Sequence, residues 1–247
     1  MSKSDRRPRG ALLDIDGTLL DSNDAHAAAW ADVFAEFEYD IPFDRVRPLV
    51  GVGSDKLVPE LTGLDHESPQ GKRLVERKKA VFEVKYLPHL RPTRGARQLL
   101  ERMIGHGLTL VIATSAGPDE MRALLERAGV ADLVHDATSS GDVADSKPDP
   151  DVVGAALRKG HLRAGEAVMI GDTPYDIEAA TKLRVPTIAL RCGGWWTDDA
   201  LQGASAIYDD PADLLADYDD SPLGEGSRVE DGVAHRPTLS SPLIPPP

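Results

Sequence analysis

The chain has 247 residues, with 41 Asp and Glu against 28 Lys and Arg, and a formal net charge of −13. That length can bury one sizeable hydrophobic core, or a core plus a smaller unit, and 41% hydrophobic residues exclude a wholly disordered chain. No apolar run approaches the ~18 residues a transmembrane helix needs, the apolar stretch after the basic N-terminus is too short for a signal-peptide core, and the acid excess repels nucleic acid and anionic lipid.

The expectation is therefore a protein with no membrane and no nucleic acid among its partners. The single Cys192 excludes an internal disulfide or a thiolate metal cluster and suits a reducing cytoplasm.

Short apolar runs at 11–15, 108–113, 133–135, 167–170 and 185–190 read as strands. Between them, helical patterns start near Gly95, Pro118, Asp149 and Tyr175. Strands alternating with helices of this length give βαβ units. The fold class is α/β, a doubly wound parallel sheet whose strands are apolar on both faces. Pro118 follows a glycine and precedes Asp119 and Glu120, which suits a first-turn proline with acids at the positive helix end.

One interval breaks the rhythm. Between 21 and 90 no strand is legible, and an insert of about 70 residues is too long for a loop. It reads as an all-helical cap domain, with helices over 26–37, 55–61 and 72–86 and hinges near Asp21 and 90–93. Trp30, Phe34 and Phe37 form the apolar face of the first. The basic run 72–79 reads as a solvated helix face. The expected division is a flexible lead-in at 1–9, a core of 10–20 and 91–217, a cap of 21–90, and a disordered, Pro-rich tail at 218–247.

Chemistry concentrates at strand ends. The first strand closes on Asp14-Ile-Asp16-Gly17-Thr18, two carboxylates at i and i+2 before a sharp turn. In open α/β sheets ligands bind beyond the carboxyl ends of the strands. Two aspartates crowded there repel unless a cation or a shared proton compensates, and Mg²⁺ suits one or two carboxylates plus water or phosphate. The second strand ends in Thr114 and Ser115, whose hydroxyls and neighbouring backbone N–H groups at a helix start make a phosphate cradle. Lys147 lies between turn residues ahead of a helix, and the fourth strand ends in Gly171-Asp172-Thr-Pro-Tyr-Asp176. Taken singly, these fit a turn, an N-cap, a surface lysine and a helix cap.

Taken in order, the four motifs resemble the haloacid dehalogenase-like superfamily over roughly residues 10–217, and the insert resembles the helical cap of its subfamily I, shared by phosphoglycolate phosphatases and β-phosphoglucomutase. The resemblance implies a Mg²⁺-dependent phosphatase acting on a small phosphorylated metabolite through an aspartyl-phosphate, as a monomer or homodimer. Asp14 is the implied nucleophile and Asp16 the implied general acid and base, with a pKa expected to be raised by crowding and burial. Thr114 and Ser115 would bind phosphate, and Lys147 would orient Asp14. Asp14, the Asp16 carbonyl and Asp172 would hold the metal, with Asp176 orienting metal-bound water or Lys147. Asp16 argues against C–halogen hydrolysis, because dehalogenases of this pattern lack the second acid.

In the cap, His26 is a candidate for reaching the leaving group or substrate hydroxyls, with helix packing as its alternative. Arg47 and Lys56, on a loop similar to that of phosphoglycolate phosphatases, are candidates for a substrate's distal carboxylate or hydroxyls. Trp195 and Trp196 either edge the site or pack. The rival functions are a β-phosphoglucomutase-like mutase, a phosphonoacetaldehyde hydrolase with Lys56 as its Schiff-base lysine, and a silent phospho-ligand binder. The Gly51-x-Gly53 loop favours hydrolysis, and the intact acids disfavour silence.

Overall fold

A computed structural model describes residues 7–134, 136–139, 141 and 145–224. Its main sheet has six parallel strands, β1 (Gly10–Leu13), β4 (Thr109–Ala113), β5 (Asp136–Thr138), β6 (Ala167–Gly171), β7 (Thr187–Leu190) and β8 (Ala206–Tyr208), in the order β5-β4-β1-β6-β7-β8. The sheet order reverses at β1, which lies between β4 and β6, so the residues leaving β1 occupy the crevice where such folds bind ligands.

Alternation along β1 explains why the strand is apolar throughout. Ala11 and Leu13 face one core cluster and Leu12 faces the other, so both sides are dry. Helices α5 (Ala96–Gly105), α6 (Pro118–Ala128) and α9 (Pro211–Ala216) contribute Leu99, Leu100, Leu124 and Leu214 to the first cluster. Helices α7 (Asp151–Lys159) and α8 (Pro174–Lys182) cover the opposite face with Val152, Val153, Ala179 and Ala180. Pro118 does open α6, with Asp119 and Glu120 in its first turn.

The insert leaves and re-enters the core through a two-stranded antiparallel pair, β2 (Leu20–Asp21) and β3 (Arg91–Pro92). Between them the regular structure is helical: α1 (Asn23–Glu36), α2 (Phe43–Val46), α3 (Ser54–Thr62), α4 (Pro69–Val81) and a π turn at Phe82–Tyr86. Trp30 stacks on Phe34 at 5.4 Å between ring centroids, and Phe34 meets the Tyr39 edge at 6.1 Å, which knits α1 to its following loop. The α4 start is fixed by Ser68, whose hydroxyl accepts from the Gly71 N–H.

Four expectations need correction. The strand expected at 133–135 lies at Asp136–Thr138, with Leu133 in the preceding turn and His135 outside the described residues. The sixth strand was not expected, because Ala-Ile-Tyr is too short to show a period and gains its partners only from β7.

The chain also stays packed beyond 217. Tyr218 and Leu223 are buried in the main cluster, the Tyr218 ring meets His106 edge-on at 5.1 Å, and the Ser221 hydroxyl donates to the Tyr218 carbonyl. Two buried side chains five residues apart supply that anchor inside a segment whose composition reads as tail; residues 225–247 lie outside the described ones. At the other end, Arg9 already pairs with the sheet, its N–H donating to Glu166 and its carbonyl accepting from Thr109, while residues 1–6 lie outside the description.

Candidate active site

Asp14 leaves β1 at the crevice and is 5% exposed. The turn behind it requires Gly17, at φ +73°: a Cβ there would lie 2.2 Å from Asn23 Nδ2 and 2.4 Å from Asp172 Oδ2. Asp172 follows β6. It does not cap the next helix; Thr173 does, its Oγ1 accepting from the Asp176 N–H at 3.3 Å while its own N–H and hydroxyl donate back to Asp176 Oδ2 at 3.1 and 2.7 Å. That leaves Asp176 Oδ1 facing Lys147 Nζ at 2.6 Å, and the same ammonium donates to Asp14 Oδ1 at 2.6 Å. Lys147 arrives from the segment ahead of α7 and is 1% exposed.

Asp14, Asp172 and Asp176 are all buried and offer carboxylate oxygens within 4.8 Å of one another. Three carboxylates against one ammonium leave two negative charges uncompensated in a low-dielectric setting. Burial pushes the Asp14 carboxyl up, Lys147 opposes, and Asp176 and Asp16 push it further, to about 7. Burial, then Asp176 and Asp14, raise Asp172 well above the ordinary carboxylate range. Lys147 is held above its usual value because its two carboxylates outweigh the burial that would lower it. A hard divalent cation with oxygen ligands fits this donor set in charge and in chemistry.

The expectation for Asp16 is reversed. Burial alone would raise its pKa, but the His26 ring with its hydrogen bond, the Ser22 hydroxyl and the charge of Lys78 together draw it below the ordinary carboxylate range. The geometry shows why: His26 Nε2 lies 2.8 Å from Asp16 Oδ1, and the Ser22 hydroxyl donates to the same oxygen at 2.5 Å. The Lys78 ammonium lies 2.9 Å from His26 Nδ1. An ammonium can only donate, so Nδ1 accepts and Nε2 carries the hydrogen that points at Asp16.

Lys78 is in turn 2.8 Å from Glu120 Oε1 on α6, and it sits 4.8 Å from the Phe82 ring, on which His26 stacks at 4.0 Å. The basic run 72–79 is therefore not solvated throughout. Lys78 turns inward, which a run of like charges gives no means of singling out.

These groups line a cavity of about 240 Å³ between core and insert. Asp14, Asp16 and His26 form one wall, Ser115, Ala116 and Gly117 at the α6 start a second, and Val50–Ser54 of the insert the roof, with Lys78, Lys79 and Glu120 at the side. Ser115 thus faces the cavity. Thr114 is buried beside it, its hydroxyl accepting from the Ala116 N–H at 3.1 Å, which shapes the backbone cradle.

Neither cap cation expected at the substrate lines this cavity. Arg47 is 1% exposed and turned onto the core, its Nε donating to Asp24 at 2.6 Å, its Nη2 to the Gly193 carbonyl, and its plane 5.6 Å from the Trp195 ring. Lys56 pairs with Asp149 at 2.7 Å, with Asp55 and Asp145 further off. Both were assigned from loop resemblance, but side-chain length and nearby acceptors decided their direction. Trp195 is partly exposed beside Arg47, and Trp196 packs edge-on against Tyr175 at 6.0 Å.

Three residues of the site had no signal in the sequence: Lys78, Glu120 and Asn23, whose amide donates to Asp172 Oδ2 at 2.7 Å. Each comes from a helix whose facing partner is set by how insert and core pack.

The profile of the haloacid dehalogenase-like hydrolases matches residues 11–190, and the chain belongs to that family. A phosphoglycolate phosphatase of Rhodospirillum rubrum is 30% identical over 90% of this chain and 95% of its own length. The plasmid protein CbbY of Cupriavidus necator is 31% identical over 84% of this chain and 88% of its own. Among solved structures, a hydrolase from Pseudomonas syringae superposes with a TM-score of 0.79 at 28% identity, covering 85% of this chain and 97% of that one. Among the described residues, no helix is long and apolar enough to cross a membrane.

Proposed function

We propose that this chain hydrolyses the phosphate monoester of a small metabolite, with Mg²⁺ as its cofactor, in the cytoplasm. The chain is a phosphatase of its family. The observation that carries the reaction is the pairing of Asp14 with Lys147 at 2.6 Å beside a second, separately supported acid, Asp16.

Asp14 is the nucleophile. Lys147, anchored on Asp176, fixes the Asp14 Oδ1 direction and leaves Oδ2 to attack phosphorus, forming an aspartyl-phosphate. Asp14, the Asp16 carbonyl and Asp172 would hold Mg²⁺, which supplies charge neutralisation for the phosphoryl oxygens when bound. The Ser115–Gly117 backbone and the Ser115 hydroxyl receive the phosphoryl group, positioned by Thr114. Asp16, ionised here, is in the form that takes a proton from the water attacking the intermediate. That proton is carried on Asp16 Oδ2, the oxygen that neither the His26 Nε2–H nor the Ser22 hydroxyl engages, and passes to the leaving oxygen of the next ester, so the transfers balance over the cycle, while Lys78 keeps the His26 ring in the Nε2–H tautomer.

A mutase has to hold a second phosphate at the far end of its cavity. Here the roof is Val50, Gly51, Val52, Gly53 and Ser54, the described lining holds no arginine, and its two lysines, Lys78 and Lys79, already face Glu120 and Asp119. Hydrolysis is favoured on that ground. Lys56, paired with Asp149 outside the lining, gives no support to a Schiff-base mechanism.

The test is a phosphate-release screen with Mg²⁺ over small monophosphates, phosphoglycolate included, with Asp14→Asn and Asp16→Ala beside wild type. Wild type should turn over at least one ester and Asp14→Asn should lose that turnover. Equal rates in the two would remove the covalent mechanism, and conversion of a hexose 1-phosphate to its 6-phosphate without release would favour the mutase.

A further inference from the structure

The turn Arg191–Gly193 after β7 touches three parts of the molecule at once. The Cys192 thiol donates to the Gly17 carbonyl at 3.1 Å. The Gly193 carbonyl accepts from Asn23 Nδ2 at 3.3 Å and from the Arg47 guanidinium. The same Asn23 nitrogen directs its other hydrogen to Asp172 Oδ2 at 2.7 Å. The packing has no slack, for a Cβ on Gly193 would fall 1.8 Å from Asp172 Oδ2.

Arg47 reaches this point from the insert, not from the core. A guanidinium at 1% exposure is costly unless it is paired and hydrogen-bonded. Among the described residues its one ionic partner, Asp24, is 79% exposed and gives only a screened charge. The rigid fork of arginine is what the position uses: Nε faces Asp24 while Nη2 holds the Gly193 carbonyl, and the plane lies over Trp195.

We propose that Arg47 is a positioning residue for the carboxylate cluster. Its guanidinium clamps the Gly193 carbonyl, the carbonyl fixes the Asn23 amide, and the amide aims Asp172. The seating of the insert on the core thereby sets the affinity of the cluster for a divalent cation. Were the carbonyl to drift, Asn23 could not serve both acceptors, and Asp172 would lose the shorter of the two hydrogen bonds that orient it before a cation arrives, keeping only that from the Thr18 hydroxyl at 3.4 Å. The proposal rests on the cation reading given above.

The experiment measures Mn²⁺ binding to the full chain by the electron paramagnetic resonance signal of free Mn²⁺, with no substrate present. Wild type is compared with Arg47→Lys, Arg47→Ala, Asn23→Ala and the double variant Arg47→Lys/Asn23→Ala, each checked for native near-ultraviolet circular dichroism in EDTA. Arg47→Lys keeps the charge and loses the fork, and should weaken Mn²⁺ binding about tenfold, as should Asn23→Ala. The double variant should bind no more weakly than the weaker single one, because both substitutions break one path.

Natively folded Arg47 variants that bind within about twofold of wild type, or fully additive losses in the double variant, overturn the proposal. Should both Arg47 variants unfold, Asp24→Asn releases the outer anchor of the guanidinium from an exposed position. It should also weaken Mn²⁺ binding, and unchanged binding overturns the proposal equally. Wild type that binds no Mn²⁺ removes the cation reading itself, whereas wild type that binds while every variant matches it removes only the role of Arg47.

Discussion

Chelating the protein and then adding Mg²⁺ should raise its melting temperature, by an amount that depends on pH. The carboxylates of Asp14, Asp172 and Asp176 carry three negative charges when ionised, and Lys147 returns one positive charge, so a divalent cation closes the deficit. A ligand that binds only the native state at about 100 times its Kd stabilises by about 2.7 kcal/mol. For a domain of this size that corresponds to roughly 5–10 °C.

The pH dependence follows from Asp14. Its carboxyl is pushed up to about 7 from an ordinary 3.8, first by burial and then by Asp176 and Asp16 against the pull of Lys147. Between those values the unfolded chain has released a proton that the metal-free native state keeps. That contribution to stability is therefore complete below 3.8 and is lost as pH rises through 7. The cation removes the penalty, so the Mg²⁺-induced rise should be small at pH 5 and larger at pH 8. Asp14→Asn, which deletes one of the crowded acids, should melt higher than wild type in EDTA at pH 8. Differential scanning calorimetry with EDTA, with Mg²⁺, and with KCl at matched ionic strength reads all three. A rise no greater than that given by KCl, or one equal at pH 5 and pH 8, would refute the charge accounting.

Three further outcomes are expected. Glu120→Gln leaves Lys78 without its carboxylate and should cost about 2 kcal/mol at pH 7, read by urea unfolding. Lys78, though opposed by burial, holds the Glu120 pKa below the ordinary 4.5; the pair's contribution is present above that value and is lost as pH falls through the depressed one. The gap between wild type and Glu120→Gln should therefore narrow as pH falls below 4.5, and a gap that stays constant on acidification would point to packing rather than charge. Gly193→Ala drives a methyl group onto the Asp172 carboxylate and should lower phosphate release about 100-fold, with unchanged turnover showing that Asp172 has room to move. Burial, then the Asp172 charge, raises the Cys192 thiol, so maleimide should label the native protein at least about tenfold more slowly than the urea-unfolded chain; equal rates would mean the turn is open.

Much of this protein is legible in one dimension. The apolar runs place five strands, because a strand buried on both faces must be apolar throughout, and the error at 133–135 is a shift of a few residues along one edge. Asp14, Asp16, Asp172 and Asp176 were legible because parallel strands deliver their C-terminal ends to one edge, so residues just past successive strands must converge, whereas Lys147, nine residues beyond β5, was legible only through the family resemblance. The helical insert was legible from its length and from the absence of alternation. β8 was not, since a three-residue edge strand owes its conformation to β7.

What the tertiary structure decided is where long side chains go and what their surroundings do to their protons. Lys78 and Lys72 belong to one helix and one basic run, yet Lys78 is buried against His26 and Glu120 while Lys72 meets Glu67 in solvent. Arg47 and Lys56 read as substrate ligands from their loop, and both found acceptors elsewhere. Two aspartates separated by one residue ended with opposite shifts, Asp14 among carboxylates and Asp16 beside a histidine and a hydroxyl. Backbone periodicity is a local property that the sequence carries in full, whereas direction and charge state depend on distances of a few ångströms between segments far apart in the chain.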